Sequence, residues 1–363
     1  MQEKLKNTFI YTAVLAGLCG TVACSHITNL FSPNISSYCN KEMISAGKCA
    51  AVMNALDKGV EKFQAQNGIL ILMDAKDSTI VASYSTNKSQ SADKVLYEAG
   101  SVFKTFNIAM GLESGKVKDS DKIDTSKPFV VDGLRVTDPH GSHSLITPEK
   151  ILVESSNIGV AKIANKVGGE YQYNFFDKLG LLSPISSYNI ESATPTFLRK
   201  DEWINNKKYI TVLSYGYGVF DTPLHIITAH AAIINGGTYH EPSFEKINGK
   251  TETRVISKEN SDYMRKYLRS VVTDGTARRA NSDKYVLMGK TGSSDKFDAT
   301  TGKYDQNNTM TTFVGNFEHN GIEYAILVML DDPKANKETF GYNTAGWNAV
   351  PIAGNIIEEF IKQ

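Results

Sequence analysis

Strand-length apolar runs gather at two separated places in this 363-residue chain, and that separation constrains the fold more than any other feature. GILILMD at 68–74 and TIVASYS at 79–85 flank a short turn. Two such runs joined this closely predict a hairpin. Far along the chain, YVLMGKTGS at 285–293, MTTFVGNF at 310–317 and IEYAILVMLDD at 322–332 repeat the pattern. The residues between read as helices. SVFKTFNIAMGLESG at 101–115 stops at a glycine, and Thr147 precedes Pro148 as an N-cap before an N1 proline. TPLHIITAHAAIINGG at 222–237 has the same Thr-Pro start and a Gly-Gly stop. Helical spacing also predicts a helix at 50–64 and another at 350–360. The order predicts an α+β domain: one antiparallel sheet flanked by helices, its strands drawn from both ends of the sequence, with an all-helical subdomain inserted at roughly 101–270.

Composition narrows the class. Hydrophobic residues make up 41% and charged residues 21%, which suits a folded core. Lys plus Arg and Asp plus Glu are each 39, so the formal charge is zero. No basic excess, zinc-finger spacing or aromatic-basic platform recommends nucleic acid. Lys4 and Lys6 precede an uncharged, mostly apolar run at 8–24, which reads as an uncleaved membrane anchor, a cleaved signal with or without lipid on Cys24, or a buried helix. The first two put the rest of the chain outside the cytoplasm. Residues 1–24 are therefore read as signal or anchor, 25–49 as a linker rich in Ser and Asn, and 50–363 as the functional domain. The four cysteines are Cys19, Cys24, Cys39 and Cys49. In an oxidising compartment Cys39 and Cys49 can close a short loop; otherwise they stay free thiols.

Three short motifs carry chemistry. In Ser101-Val102-Phe103-Lys104 the serine and lysine share one helical face, so the amine can approach the hydroxyl. A lysine acts as a base near neutrality only if burial or neighbouring cations lower its pKa. Ser155-Ser156-Asn157 interrupts an apolar helical run with groups able to relay a proton and bind a carbonyl. Lys290-Thr291-Gly292-Ser293 lies in a strand. It offers a cation, two hydroxyls and a glycine that lets another backbone approach. Each alone has an ordinary reading: a helix cap, a helix kink, a strand end. S-x-x-K, S-x-N and K-T-G in that order form the set found in penicillin-binding proteins and serine β-lactamases, whose middle element is usually written S-D-N.

With those motifs, and with YEAGSVFKTF, ESSNIGVAKIA, SYGYGVFDTPL, AAIINGG, VVTDGTARRA and AGWNAVP around them, the chain resembles the transpeptidase domain of class B penicillin-binding proteins, more the division type than the elongation type. The resemblance runs from about Gln64 to Lys362 and implies the penicillin-binding protein/serine β-lactamase fold. It implies a peptidoglycan D,D-transpeptidase that needs no cofactor or metal. Ser101 would attack the bond between the terminal D-alanines of a stem peptide, and Lys104 would take its proton. Ser155 and Lys290 would serve the leaving amine, and Asn157 would bind the substrate amide. Thr291, Gly292 and Ser293 would line the carboxylate site. The backbone N–H groups of Ser101 and Ser293 would hold the oxyanion. Implied partners are D-Ala-D-Ala stem peptides, β-lactams as inhibitors, and membrane-embedded wall-synthesis and divisome proteins. The implied location is the bacterial inner membrane, with the catalytic domain in the periplasm. The non-catalytic pedestal of such enzymes has little room between Cys24 and Gly68, and no stretch resembles a glycosyltransferase.

Other readings compete. A serine β-lactamase or D,D-carboxypeptidase would hydrolyse the same acyl-enzyme. A β-lactam sensor, or a non-catalytic scaffold, would bind without turnover. His140 and His143 form an H-x-x-H pair in a loop-like stretch and read as surface loop rather than metal ligands. His225 and His230 do not share a helical face, and Asp331-Asp332 reads as a solvated strand end. Tyr215 and Tyr217, flanked by glycines, read as a shaped turn near the site.

Overall fold

The computed structural model describes residues 37–138, 144–298 and 303–362. The anchor at 1–24, the first part of the linker and the His140/His143 pair lie outside the described residues. Six strands form one antiparallel sheet: β1 (Ser37–Cys39), β2 (Asn67–Asp74), β3 (Thr79–Ser85), β4 (Leu287–Asp298), β5 (Lys303–His319) and β6 (Ile322–Asp331). Their order is β1-β3-β2-β6-β5-β4. The two distant groups of apolar runs meet where β2 pairs with β6, with Ile71 opposite Leu327. Every residue of β2 is buried. A strand buried at every position needs cover on both sheet faces, which is why its sequence is continuously apolar rather than alternating.

That cover comes from helices. Helix α1 (Ala46–Lys62) packs on β2, and the C-terminal helix Ala349–Ile361 packs on β5 and β6. Those two helices press together at Gly59, where a Cβ would lie 2.5 Å from the Ile352 side chain. Helix Pro223–Ile234 also packs on β2, β5 and β6 and is buried along its whole length. Thr222 caps it and Pro223 opens it, as its sequence predicts. His225 and His230 are core residues of this helix. Burial pushes both imidazoles down to about 4, so they are neutral at pH 7.

Three expectations need correction or refinement. The linker ends earlier than 49. Residues 37–39 form β1 on the sheet edge, with Tyr38 opposite Ser83, Ser45 caps α1, and a disulfide joins Cys39 to Cys49. A three-residue strand is too short to show periodicity, which hid it. The inserted region is helical in its bulk but also carries small hairpins. Two of them turn on Asp132-Gly133 and Tyr188-Asn189, all with positive φ. Such pairs suit tight hairpin turns. Asp331 and Asp332 are buried rather than solvated, and are paired with Lys296 at 2.7 Å and Lys334 at 2.6 Å.

Candidate active site

Ser101 lies in a single 3-10 turn, Gly100–Val102, that runs straight into helix α2 (Phe103–Glu113). The turn is pressed against edge strand β4 and against the Ser214–Gly218 segment. Gly100 has φ +54°. A Cβ on Gly292 would stand 2.1 Å from the Ala99 carbonyl oxygen, and one on Gly216 would stand 2.0 Å from that of Gly100. Only glycine lets these backbones approach so closely. Gly292 thus contributes approach rather than a contacting side chain. Gly292→Ala is expected to lift the Ser101 turn off β4 and to lower stability by about 3 kcal/mol. Denaturant titration checks this, and a variant as stable as the parent would refute it.

One helical turn beyond Ser101, Lys104 is 1% exposed. Its Nζ lies 2.9 Å from Ser101 Oγ, 2.7 Å from the Ser155 carbonyl oxygen and 3.1 Å from Ser155 Oγ. Lys290, on β4 and fully buried, places its Nζ 3.1 Å from the same Ser155 Oγ. Ser101, Lys104, Ser155 and Lys290 therefore form one unbroken line of hydrogen-bonding groups. Burial, then the Lys290 ammonium, hold the Lys104 amine well below the usual lysine range, against an upward pull from Asp138. Burial brings Lys290 down to about 7. Two buried amines this close do not readily hold two protons together.

Ser155 reaches the line through a strained backbone. It ends the helix Pro148–Glu154 in the left-handed region, with φ +56° and ψ 42°. That is an uncommon conformation for a residue with a side chain, and such strain concentrates at functional sites. The next helix, Asn157–Val167, starts at once, with Ser156 as its N-cap accepting from Gly159 N–H. The Asp138 carboxylate accepts from the Ser156 hydroxyl at 2.7 Å and from Ile158 N–H at 2.9 Å. Asn157 lies beside the turn, its side-chain amide donating to the Thr137 carbonyl at 3.3 Å.

On β4, the Thr291 hydroxyl meets the Thr276 hydroxyl at 2.6 Å, and Ser293 Oγ accepts from Ala345 N–H at 3.0 Å. The Tyr215–Tyr217 turn adjoins Ser101 through Gly216, and the Tyr217 ring packs edge-on against Tyr304 at 5.2 Å. Asp138, Thr276 and Glu98 were given no role in the sequence reading. Glu98 accepts from Gly218 N–H at 2.5 Å and from the Tyr304 hydroxyl at 2.9 Å, tying the tyrosine turn to the Ser101 segment. Glu98 and Thr276 sit in stretches that carry the family resemblance, the one signal that could have marked them; Asp138 lies outside those stretches. Among the described residues no group of three or more His, Cys, Asp or Glu is placed to hold a metal ion. A hydroxyl bonded to a buried amine of lowered pKa is an arrangement in which the amine can take the hydroxyl's proton as it attacks.

The fold and this serine-lysine-serine-lysine line define a protein of the acyl-serine, penicillin-recognising class. The chain belongs to the penicillin-binding protein transpeptidase domain family, whose model matches residues 68–358. It is 30% identical over 333 residues to the probable peptidoglycan D,D-transpeptidase FtsI of Caulobacter vibrioides, covering 85% of this chain and 56% of that protein. It is 28% identical to stage V sporulation protein D of Bacillus subtilis, covering 85% of this chain and 51% of that one. The chain thus spans about half the length of the curated relatives it matches. Among solved structures, the transpeptidase domain of Burkholderia pseudomallei penicillin-binding protein 3 shares the fold. Its TM-score is 0.79 at 24% identity, over 87% of this chain and 94% of that one. Penicillin-binding protein 3 of Mycobacterium tuberculosis, solved with aztreonam, has a TM-score of 0.74 at 22% identity, over 85% of this chain and 75% of that one.

Proposed function

We propose that the protein is a serine-type peptidoglycan D,D-transpeptidase that acts outside the cytoplasm and is inhibited by β-lactams. The observation that carries this reading is the line from Ser101 through Lys104 and Ser155 to Lys290. Neutral Lys104 takes the Ser101 proton as Oγ bonds to the carbonyl carbon between the terminal D-alanines. The C–N bond breaks, D-alanine leaves with a proton delivered through Ser155, and an acyl-serine ester remains. An amine from a second stem peptide then displaces Ser101, forming the cross-link amide and returning the proton to the serine. Asn157 binds the substrate amide, and the Thr291 and Ser293 hydroxyls take the terminal carboxylate. Backbone N–H groups of Ser101 and Ser293 stabilise the oxyanion.

The Cys39–Cys49 disulfide supports an oxidising compartment. No helix among the described residues is long and apolar enough to cross a membrane. Attachment through residues 1–24 to the inner membrane, a role in septal wall synthesis, and divisome partners belong to the same proposal. It is supported by the FtsI relative and by the basic-then-apolar start of the chain. The test is incubation with a labelled penicillin, followed by peptide mapping. A stable adduct on Ser101, absent from Ser101→Ala, is expected. Rapid turnover of the penicillin would instead assign a β-lactamase. No adduct on folded protein would overturn acyl-serine chemistry altogether.

A further inference from the structure

The two hydroxyls assigned to the substrate carboxylate are not held by β4 alone. Each has a partner from a separate loop: Thr276 for Thr291, and Ala345 N–H for Ser293. The partners decide what the hydroxyls can do. A hydroxyl has one proton and two lone pairs. Because Ala345 N–H occupies a lone pair of Ser293 Oγ, the Ser293 proton is free to be donated. In the Thr276–Thr291 pair one hydroxyl donates to the other, so one proton of the two also remains free. Two hydroxyl protons are thereby left for an anionic carboxylate to accept.

What keeps the two loops against β4 lies away from the serine-lysine line. Gly346, next to Ala345, packs on the Thr276 backbone so closely that a Cβ there would stand 2.5 Å from the Thr276 carbonyl oxygen. One residue further on, the Trp347 ring has the Arg279 guanidinium over it, 3.1 Å from the ring centroid. Tyr342 stacks in parallel on the same indole at 5.2 Å and 6°. Arg279 Nη1 also reaches toward the Gly346 carbonyl at 3.5 Å. No ion pair engages Arg279 among the described residues, so its close neighbour is the indole face. Arg279 and Trp347 line a separate groove of about 520 Å³ against α1.

We infer that Trp347 and Arg279 are positioning residues: their cation–π contact clamps the 274–280 and 343–348 loops together, and so sets the Thr291 and Ser293 hydroxyls to receive the substrate carboxylate. The inference rests on the acyl-serine reading above. The clamp is built for direction. An Arg over an aromatic face resists sliding, the Tyr342 stack fixes the indole plane, and Gly346, bare of a side chain, lets the two loops come into direct backbone contact.

The test compares benzylpenicillin with its methyl ester, which presents no carboxylate. Acylation of Ser101 is resolved into a binding constant and a limiting rate. Trp347→Ala is expected to weaken binding of the penicillin by as much as about 100-fold, the scale of a small misplacement of oriented groups. Its limiting rate should stay close to that of the parent, and the methyl ester should be unaffected. Trp347→Phe keeps an aromatic face and should restore binding. If Trp347→Ala loses equally on both ligands, in step with a lower melting temperature, the residue only supports the fold and the clamp is overturned. Unchanged penicillin binding in Trp347→Ala also overturns it. A parent protein that penicillin fails to acylate at Ser101 overturns the underlying reading and the clamp with it, an outcome visible before any variant is made.

Discussion

Replacing Lys104 with methionine is expected to lower the rate of Ser101 acylation by about 10²–10⁴-fold, the range general-base catalysis supplies. The side chain is fully buried and its amine is the group that touches the Ser101 hydroxyl, at 2.9 Å. Methionine fills a similar volume without a base, so the protein should remain folded and circular dichroism should be unchanged. A second variant separates basicity from charge. Lys104→Arg keeps a cation but cannot lose its proton near neutrality, and it should be as slow as the methionine variant. Fluorescent-penicillin labelling read over time, at saturating ligand, measures both. An arginine variant that labels at the parent rate would show that Lys104 serves as a fixed charge, and the base role would fall.

The expected loss is large because the lysine is prepared in advance. Its low proton affinity comes from burial and from Lys290, not from any contact made on substrate binding. Part of this was legible in the sequence. The i, i+3 spacing of Ser101 and Lys104 placed them on one face, and Gly292 in the Lys290–Ser293 motif announced close backbone approach. The sheet was legible too, because β2 and β6 are apolar at nearly every position and can only be central. Other features had no local signal. Ser155 works from a left-handed backbone inside what reads as one continuous helix, 148–167, and only the tertiary setting breaks that helix in two. Asp138 reaches the Ser156 turn across 18 residues, and Thr276 reaches Thr291 across 15. A polar side chain in a loop says nothing of its partner until the loop is folded. Residues 37–39 were invisible for a different reason: a strand so short is defined by its neighbour's edge rather than by its own pattern.

The charge state of the two lysines leads to the second large effect. Burial and the Lys290 ammonium both hold Lys104 down, whereas burial alone lowers Lys290, so Lys104 is the first of the pair to lose its proton as pH rises. The proposed chemistry needs a neutral Lys104 to take the serine proton. It also needs a charged Lys290 to feed Ser155 and attract the carboxylate. That combination exists only between the two titrations. The second-order acylation constant should therefore rise with pH as Lys104 deprotonates. It should then fall as Lys290 deprotonates, with an alkaline midpoint near 7. Above that midpoint the loss should be about tenfold per pH unit, since one proton is being removed. Lys290→Arg stays charged throughout and should abolish the alkaline limb while leaving the acid limb in place, at a lower maximum because the guanidinium fits the 3.1 Å contact to Ser155 less well. Lys290→Gln should lose the alkaline limb as well, with a rate depressed at every pH, because no charge remains to titrate. An alkaline limb that survives in Lys290→Arg would assign that titration to another group and remove Lys290 from the proton path.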